Sequence, residues 1–207
     1  MPFDNHSSLL TAVASNWMHR ADLAAVTEDF VDLFESDFNS AMRLRQMEQS
    51  TSISSTAGYL VHPAQWREWK QVTLSANGRK YNLTPITEEA NAIVLGGEST
   101  GQPRYYKVRN TKTYLYPVPS TNYVVDTVYY EGVTSLSTSQ SSNWVLAGYP
   151  GAYLYGALEQ AVPYVGDDPR VPLWVAAKNR VLQQMVRESN NSEYGRQVLQ
   201  MKVDTDK

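Results

Sequence analysis

An α+β fold, with N- and C-terminal helices forming a helical bundle around an inserted antiparallel β lobe, is predicted by three features of the sequence. Apolar residues recur every three or four positions near both ends, they alternate with polar residues through the middle, and Gly, Pro and Asn punctuate that middle. The 207 residues, 42% of them hydrophobic, suffice for one medium domain or two small lobes with a real core. The expected division is residues 1–48 and 143–191 in the helical bundle, 49–142 in the β lobe, and 192–207 in an extended C-terminal arm.

The first helix is expected from Ser8 to about His19, where Leu9, Leu10, Val13 and Trp17 share one face and Ser7 or Ser8 serves as N-cap. A second helix follows Asp22, with Val26, Phe30, Leu33, Phe34, Phe38 and Ala41 as its apolar stripe. Its acidic residues Glu28, Asp29 and Asp32 lie early and Arg43 and Arg45 late, an order that complements the helix dipole.

From Gln49 to about Val133 the period shortens toward two. Val72–Leu74 and Lys80–Leu83 flank Ala76-Asn77-Gly78, and Asn-Gly readily adopts the positive φ angles of a tight hairpin. Arg104–Val108, Tyr114–Tyr116 and Tyr123–Tyr130 read as three further strands in an antiparallel meander. A short helix over Thr87–Leu95 has Thr87 as cap and Glu88 and Glu89 in its first turn.

Helical spacing returns beyond Asn143. Pro150 fits a first turn, Leu154, Leu158, Ala161 and Val165 follow, and Pro163 ends or kinks the helix. A last helix begins at Pro169, capped by Asp167 or Asp168. It buries Val171, Trp174, Val175, the Lys178 stem, Val181, Leu182 and Met185, and stops around Ser189. The residues after it are expected to order only against a partner.

Composition narrows the function. With 18 Lys and Arg against 21 Asp and Glu the formal charge is −3, so no global basic field holds nucleic acid by counterion release. The absence of Cys removes disulfides, thiolate metal sites and Cys nucleophiles together. No basic leader and no run of 18 apolar residues is present, which predicts a protein with no membrane span, made in a cytoplasm.

The enzymatic templates fall short. Gly96 to Gly101 has the glycine spacing of a phosphate loop, but Gln102 and Pro103 stand where Lys and Ser or Thr would meet phosphate and magnesium. His6, His19 and His62 lie in different elements, with no second His one helical turn away to complete a zinc face. No Gly-x-Ser-x-Gly elbow occurs, and Glu88/Glu89 and Asp167/Asp168 read as helix starts. No cofactor, metal or catalytic residue is assigned. Tyr is abundant at 14 copies, and half-buried sheet surfaces and protein interfaces both favour it.

Several stretches carry a resemblance. Arg43-Leu44-Arg45-Gln46-Met47-Glu48, Pro103-Arg104-Tyr105-Tyr106, Tyr114-Leu115-Tyr116-Pro117-Val118-Pro119 and Val128-Tyr129-Tyr130 occur in order. Asn143-Trp144-Val145-Leu146, Tyr149-Pro150, Tyr153-Leu154-Tyr155-Gly156-Ala157-Leu158, Asp167-Asp168 and Trp174 follow. Over residues 8 to 190 the chain resembles the head-to-tail adaptor (head-tail connector) proteins of tailed bacteriophages. The hairpin at Asn77-Gly78, the Gly96–Gly101 loop and the C-terminal arm depart from that pattern.

The resemblance implies a non-enzymatic virion protein that forms a homo-oligomeric ring, a dodecamer, under the phage portal protein. That ring extends the DNA channel and offers an attachment surface to a downstream tail, stopper or nozzle protein, and double-stranded DNA passes without sequence-specific binding. The candidate portal or subunit contacts are Arg43, Arg45, Tyr149, Tyr153 and Tyr155, with Arg196, Val198, Leu199 and Met201 in the arm. The alternative reading is a carbohydrate-binding or other tail-associated module that uses the Tyr-rich strands.

Overall fold

The computed structural model describes residues 3–56, 58–87, 100–166 and 168–194. The chain divides into two compact units, one formed by Met1–Gln46 with Val133–Lys207 and the other by Met47–Gly132.

In the first unit, α1 (His6–Thr11) starts at Asn5, not at Ser7 or Ser8. The Asn5 side chain accepts the Ser8 N–H at 2.9 Å and the Ser8 hydroxyl accepts the Asn5 N–H at 3.2 Å, a reciprocal box that satisfies two helix-end donors. The helix then widens into a π-helical turn over Ala12–Trp17 and ends at His19, whose φ is +54°. Helix α2 spans Thr27–Ala41 and buries Phe30, Val31, Phe34, Glu35, Phe38 and Asn39. Its stripe is rotated from the expected one: Leu33 is 51% exposed, and two polar residues take inward positions.

Beyond Asn143, whose side chain caps α3 (Trp144–Gly148), the chain breaks at Tyr149 into α4 (Pro150–Gln160). It breaks again before α5 (Val162–Val165), with Pro163 in the first turn. The last helix, α6, runs Val171–Tyr194, five residues past the expected stop. Asp168 accepts the Arg170 N–H at 2.8 Å just ahead of it.

The expected bundle of terminal helices is therefore corrected. A bundle needs several long helices side by side, whereas here α1 has 6 residues and α4 has 11, and proline and tyrosine junctions interrupt the C-terminal segment.

The second unit carries eight described strands, β1 Glu48–Ser54, β2 Tyr59–Val61, β3 Trp66–Ala76, β4 Arg79–Asn82, β5 Thr84–Pro85, β6 Tyr105–Arg109, β7 Lys112–Tyr116 and β8 Val124–Glu131. They form two four-stranded sheets, ordered β1-β8-β3-β4 and β2-β7-β6-β5. Leu60, Trp69, Val72, Leu74, Tyr106, Leu115, Val125 and Tyr129 fill one core supplied by both sheets.

Two expectations need correcting here. The strands are not a meander, because β8 leaves β6 and β7 to pair between β1 and β3 in the other sheet. Nor is the unit wholly antiparallel, because β5 pairs parallel with β6. The short helix expected at Thr87–Leu95 lies, apart from Thr87, outside the described residues.

The hairpin between β3 and β4 turns at Asn77 and Gly78, with φ of +51° and +72°. That pair of positive angles matches the right-handed strand twist. Nothing lies within 4 Å of a Cβ added at Gly78, so Gly78→Ala tests backbone strain alone. It is expected to cost about 1 kcal/mol, read as a melting temperature lower by roughly 2–4 °C.

A polar thread runs through this core. Thr113, fully buried, accepts the Trp69 indole N–H at 2.7 Å and sits 2.8 Å from His62 Nε2, while the His62 ring lies 3.8 Å from the Trp66 ring. Burial lowers the His62 pKa from its ordinary value of 6.5. The unfolded chain thus binds a proton more readily than the folded one. The stabilising contribution is complete above the ordinary histidine value and is lost as pH falls through the folded value. Urea titrations between pH 7.5 and 5 are expected to show this loss in the native chain, and a smaller one in His62→Phe.

Candidate assembly interface

The five described residues expected at a contact surface are all in the first unit, and the helices place them differently. Arg43, just past α2, donates from Nη1 to the carbonyls of Asn39 at 3.1 Å and Met42 at 2.7 Å. These are helix-end carbonyls without intrahelical partners, and a guanidinium there also meets the negative end of the dipole. Arg45 is exposed but held: its N–H donates to Ser189 Oγ at 2.9 Å and its Nη1 to the Ser192 carbonyl at 3.1 Å. Tyr149, at the α3–α4 junction, donates its hydroxyl to Glu188, which also accepts from Gln184 at 2.8 Å. Arg45 and Tyr149 thus both reach the last turns of α6.

Tyr155 lies elsewhere, edge-on to Trp17 with ring centroids 5.5 Å apart. Arg170 donates to the Trp17 carbonyl at 2.9 Å, so the π-helical turn is tied to the start of α6. Asp168 receives the same guanidinium at 2.8 Å, and this bond holds its carboxyl below the ordinary range.

Tyr153 is not on a surface. It is 1% exposed, donates to Glu35 Oε1 at 2.7 Å and accepts from Asn143 Nδ2 at 2.6 Å. A tyrosine repeat at Tyr149, Tyr153 and Tyr155 gives no sign of which ring points inward until the partners of α4 are known. Arg196, Val198, Leu199 and Met201 lie outside the described residues.

The sequence reading missed the buried polar residues of α2. Glu35 Oε1 accepts the Leu136 N–H at 2.9 Å, and Asn39 binds both polar backbone atoms of Val133, accepting at 2.7 Å and donating at 3.2 Å. Together they fix the returning chain at Val133–Leu136 against the helix. The available signal was their spacing, since Glu35 and Asn39 are four apart on the face of Val31, Phe34 and Phe38.

Among the described residues no group of three or more His, Asp or Glu could hold a metal ion. No helix there is long and apolar enough to cross a membrane. Two of the eight tyrosines in the described strands, Tyr106 and Tyr129, are buried in the core of the second unit and cannot stack a sugar.

These side chains brace helices and turns at fixed positions, while Leu33 of α2 and Val186 of α6 stay exposed. The chain matches the family model described as SU10 adaptor protein over residues 4–200, and it belongs to that family of phage head-to-tail adaptors. None of the curated proteins compared with the chain matches it.

Proposed function

We propose that this adaptor assembles with copies of itself into a ring, a dodecamer, beneath the portal of a tailed phage. There it lengthens the DNA channel and offers the next tail, stopper or nozzle component its attachment surface. It is a virion component made in the host cytoplasm, and its work is to hold contacts, with no reaction of its own.

The family match over nearly the whole chain carries this reading. Charge supports it: a net formal charge of −3 provides little counterion-release affinity, so DNA moving past such subunits meets little electrostatic drag. Arg43, Arg45, Tyr149 and Tyr155 act by bracing the helices that meet the portal or a neighbour, and Tyr153 acts only from within. The segment holding Arg196, Val198, Leu199 and Met201 supplies further portal or subunit contact.

Native mass spectrometry of the chain, alone and mixed with the portal of its own phage, tests the proposal. A portal-bound species with many adaptor copies is the expected result. A chain that stays monomeric beside the portal and binds glycans saturably in calorimetry would favour the carbohydrate-binding alternative.

A further inference from the structure

Helix α6 is covered on one side only. Trp174, Met185 and Ser189 are its buried side chains, and Val181 touches α4 at Gly151. Beside that seam, Asn179, Leu182, Gln183 and Val186 enclose an open hollow of about 330 Å³, with Arg187 on its rim. Their spacing of i, i+3, i+4 and i+7 is that of a hole which a side chain from another helix fills in knobs-into-holes packing. Val186 is 40% exposed.

A matching knob stands on α2. Leu33 is 51% exposed, with Asp29 and Asp32 beside it in solvent. No Lys or Arg occurs from Thr27 to Ala41. Burial, then the charges of Glu28 and Asp29, raise the Asp32 pKa, with His6 acting the other way. Among the described residues Asp29 and Asp32 form no ion pair, while Glu28 lies 3.8 Å from His6. Across the molecule, Arg180 and Arg187 are exposed and form no ion pair among the described residues. Phe34 of α2 meets α4 at Gly156, five residues from Gly151 and so about 140° around the helix. The two faces thus flank α4 from different sides.

We propose that Leu33 of one copy fills the Asn179–Leu182–Gln183–Val186 hollow of the next, with Asp29 and Asp32 meeting Arg180 and Arg187. The proposal rests on self-assembly and specifies which faces meet. Packing α6 on α6 would oppose arginines, and α2 on α2 would oppose carboxylates, so charge favours the unlike pair. Because the two faces differ, each contact leaves one of each kind free, and the arrangement propagates until it closes.

The chain has no Cys, so Leu33→Cys with Val186→Cys reports the contact cleanly. The double variant, assembled with its portal and mildly oxidised, is expected to give a covalent ladder on a non-reducing gel, and each single variant none. Failure to ladder in an assembly that forms would overturn the pairing while leaving self-assembly intact. Covalent dimers from either single variant would replace it with a like-on-like contact. If the unsubstituted chain itself does not assemble, the pairing falls together with the reading beneath it. As a second readout, Asp32→Arg is expected to weaken assembly about tenfold or more, and Arg187→Asp added to it to restore assembly. No restoration, with both variants folded by circular dichroism, counts against the charge pairing.

Discussion

Gly156→Ala is expected to destabilise the helical unit by about 2–3 kcal/mol, although alanine is the better helix former. A Cβ at Gly156 would lie 2.1 Å from Phe34 Cδ2 and 2.5 and 2.6 Å from its neighbours in the ring. The ring has nowhere to go. Phe34 is 3% exposed, packed edge-on against Tyr153 at 5.2 Å and tilted against Phe38 at 5.9 Å.

Overpacking of a close-fitted core typically costs about 1–3 kcal/mol, occasionally more, and a Cβ only 2.1 Å from an atom of a trapped ring belongs at the top of that range. The helix-propensity gain of about 1 kcal/mol is the smaller term. Thermal melts should show a decrease of roughly 4–12 °C. Phe34→Leu should cost less in the Gly156→Ala background than alone, because the smaller side chain makes room. Equal costs in both backgrounds would contradict a steric origin.

Tyr153→Phe should cost about 2 kcal/mol, because one hydroxyl serves the buried Glu35 and the half-buried Asn143. It donates to Glu35 and accepts from Asn143; burial and the nearby Glu35 push its pKa far above the tyrosine range, so it remains a donor at any working pH. A buried acceptor deprived of its partner costs about 1–3 kcal/mol.

The same site sets a pH dependence. Burial raises the Glu35 pKa, against the opposing hydrogen bonds from Leu136 and Tyr153. A carboxyl whose folded pKa exceeds its unfolded one contributes stability that is complete below the ordinary glutamate value and is lost as pH rises through the folded value. Tyr153→Phe removes a bond that favours the charged form and should steepen that loss between pH 5 and 8. Glu35→Gln should flatten it. Urea midpoints across that range decide the matter, and an unchanged midpoint in Tyr153→Phe would show that the hydroxyl is dispensable.

Much of the local structure was legible in the sequence because its causes are local. Asn77-Gly78 turns the hairpin because both positions need positive φ, and Phe30, Phe34 and Phe38 mark the buried face of α2 by spacing alone. What escaped depends on partners distant in sequence. Glu35 and Asn39 face inward because Val133 and Leu136, about a hundred residues later, supply backbone groups for them, and Leu33 is displaced to solvent as a result. Strand β8 carries a pair of tyrosines, as β6 and β7 do, so nothing in its own residues says that it crosses to the other sheet. The bundle failed as an expectation for a similar reason. Helical periodicity reports that segments are helical, and the breaks at Tyr149 and Pro163 decide whether they are long enough to lie side by side.

The candidate site was legible in part. Arg43 and Arg45 were recognisable from charge at a helix end, and their role there is to bind carbonyls of α2 and α6. The tyrosines were visible as a group, but only the packing of α4 separates Tyr153, enclosed by α2, from Tyr149 and Tyr155 at the margins.

Electron microscopy of the adaptor incubated with the portal of its phage is the most direct test of the central claim, that these helices exist to join copies into an extension of the channel. The account predicts an additional ring coaxial with the portal, with an open bore and unlike faces of neighbouring first units in contact. Portals that remain bare at saturating adaptor concentration would contradict it.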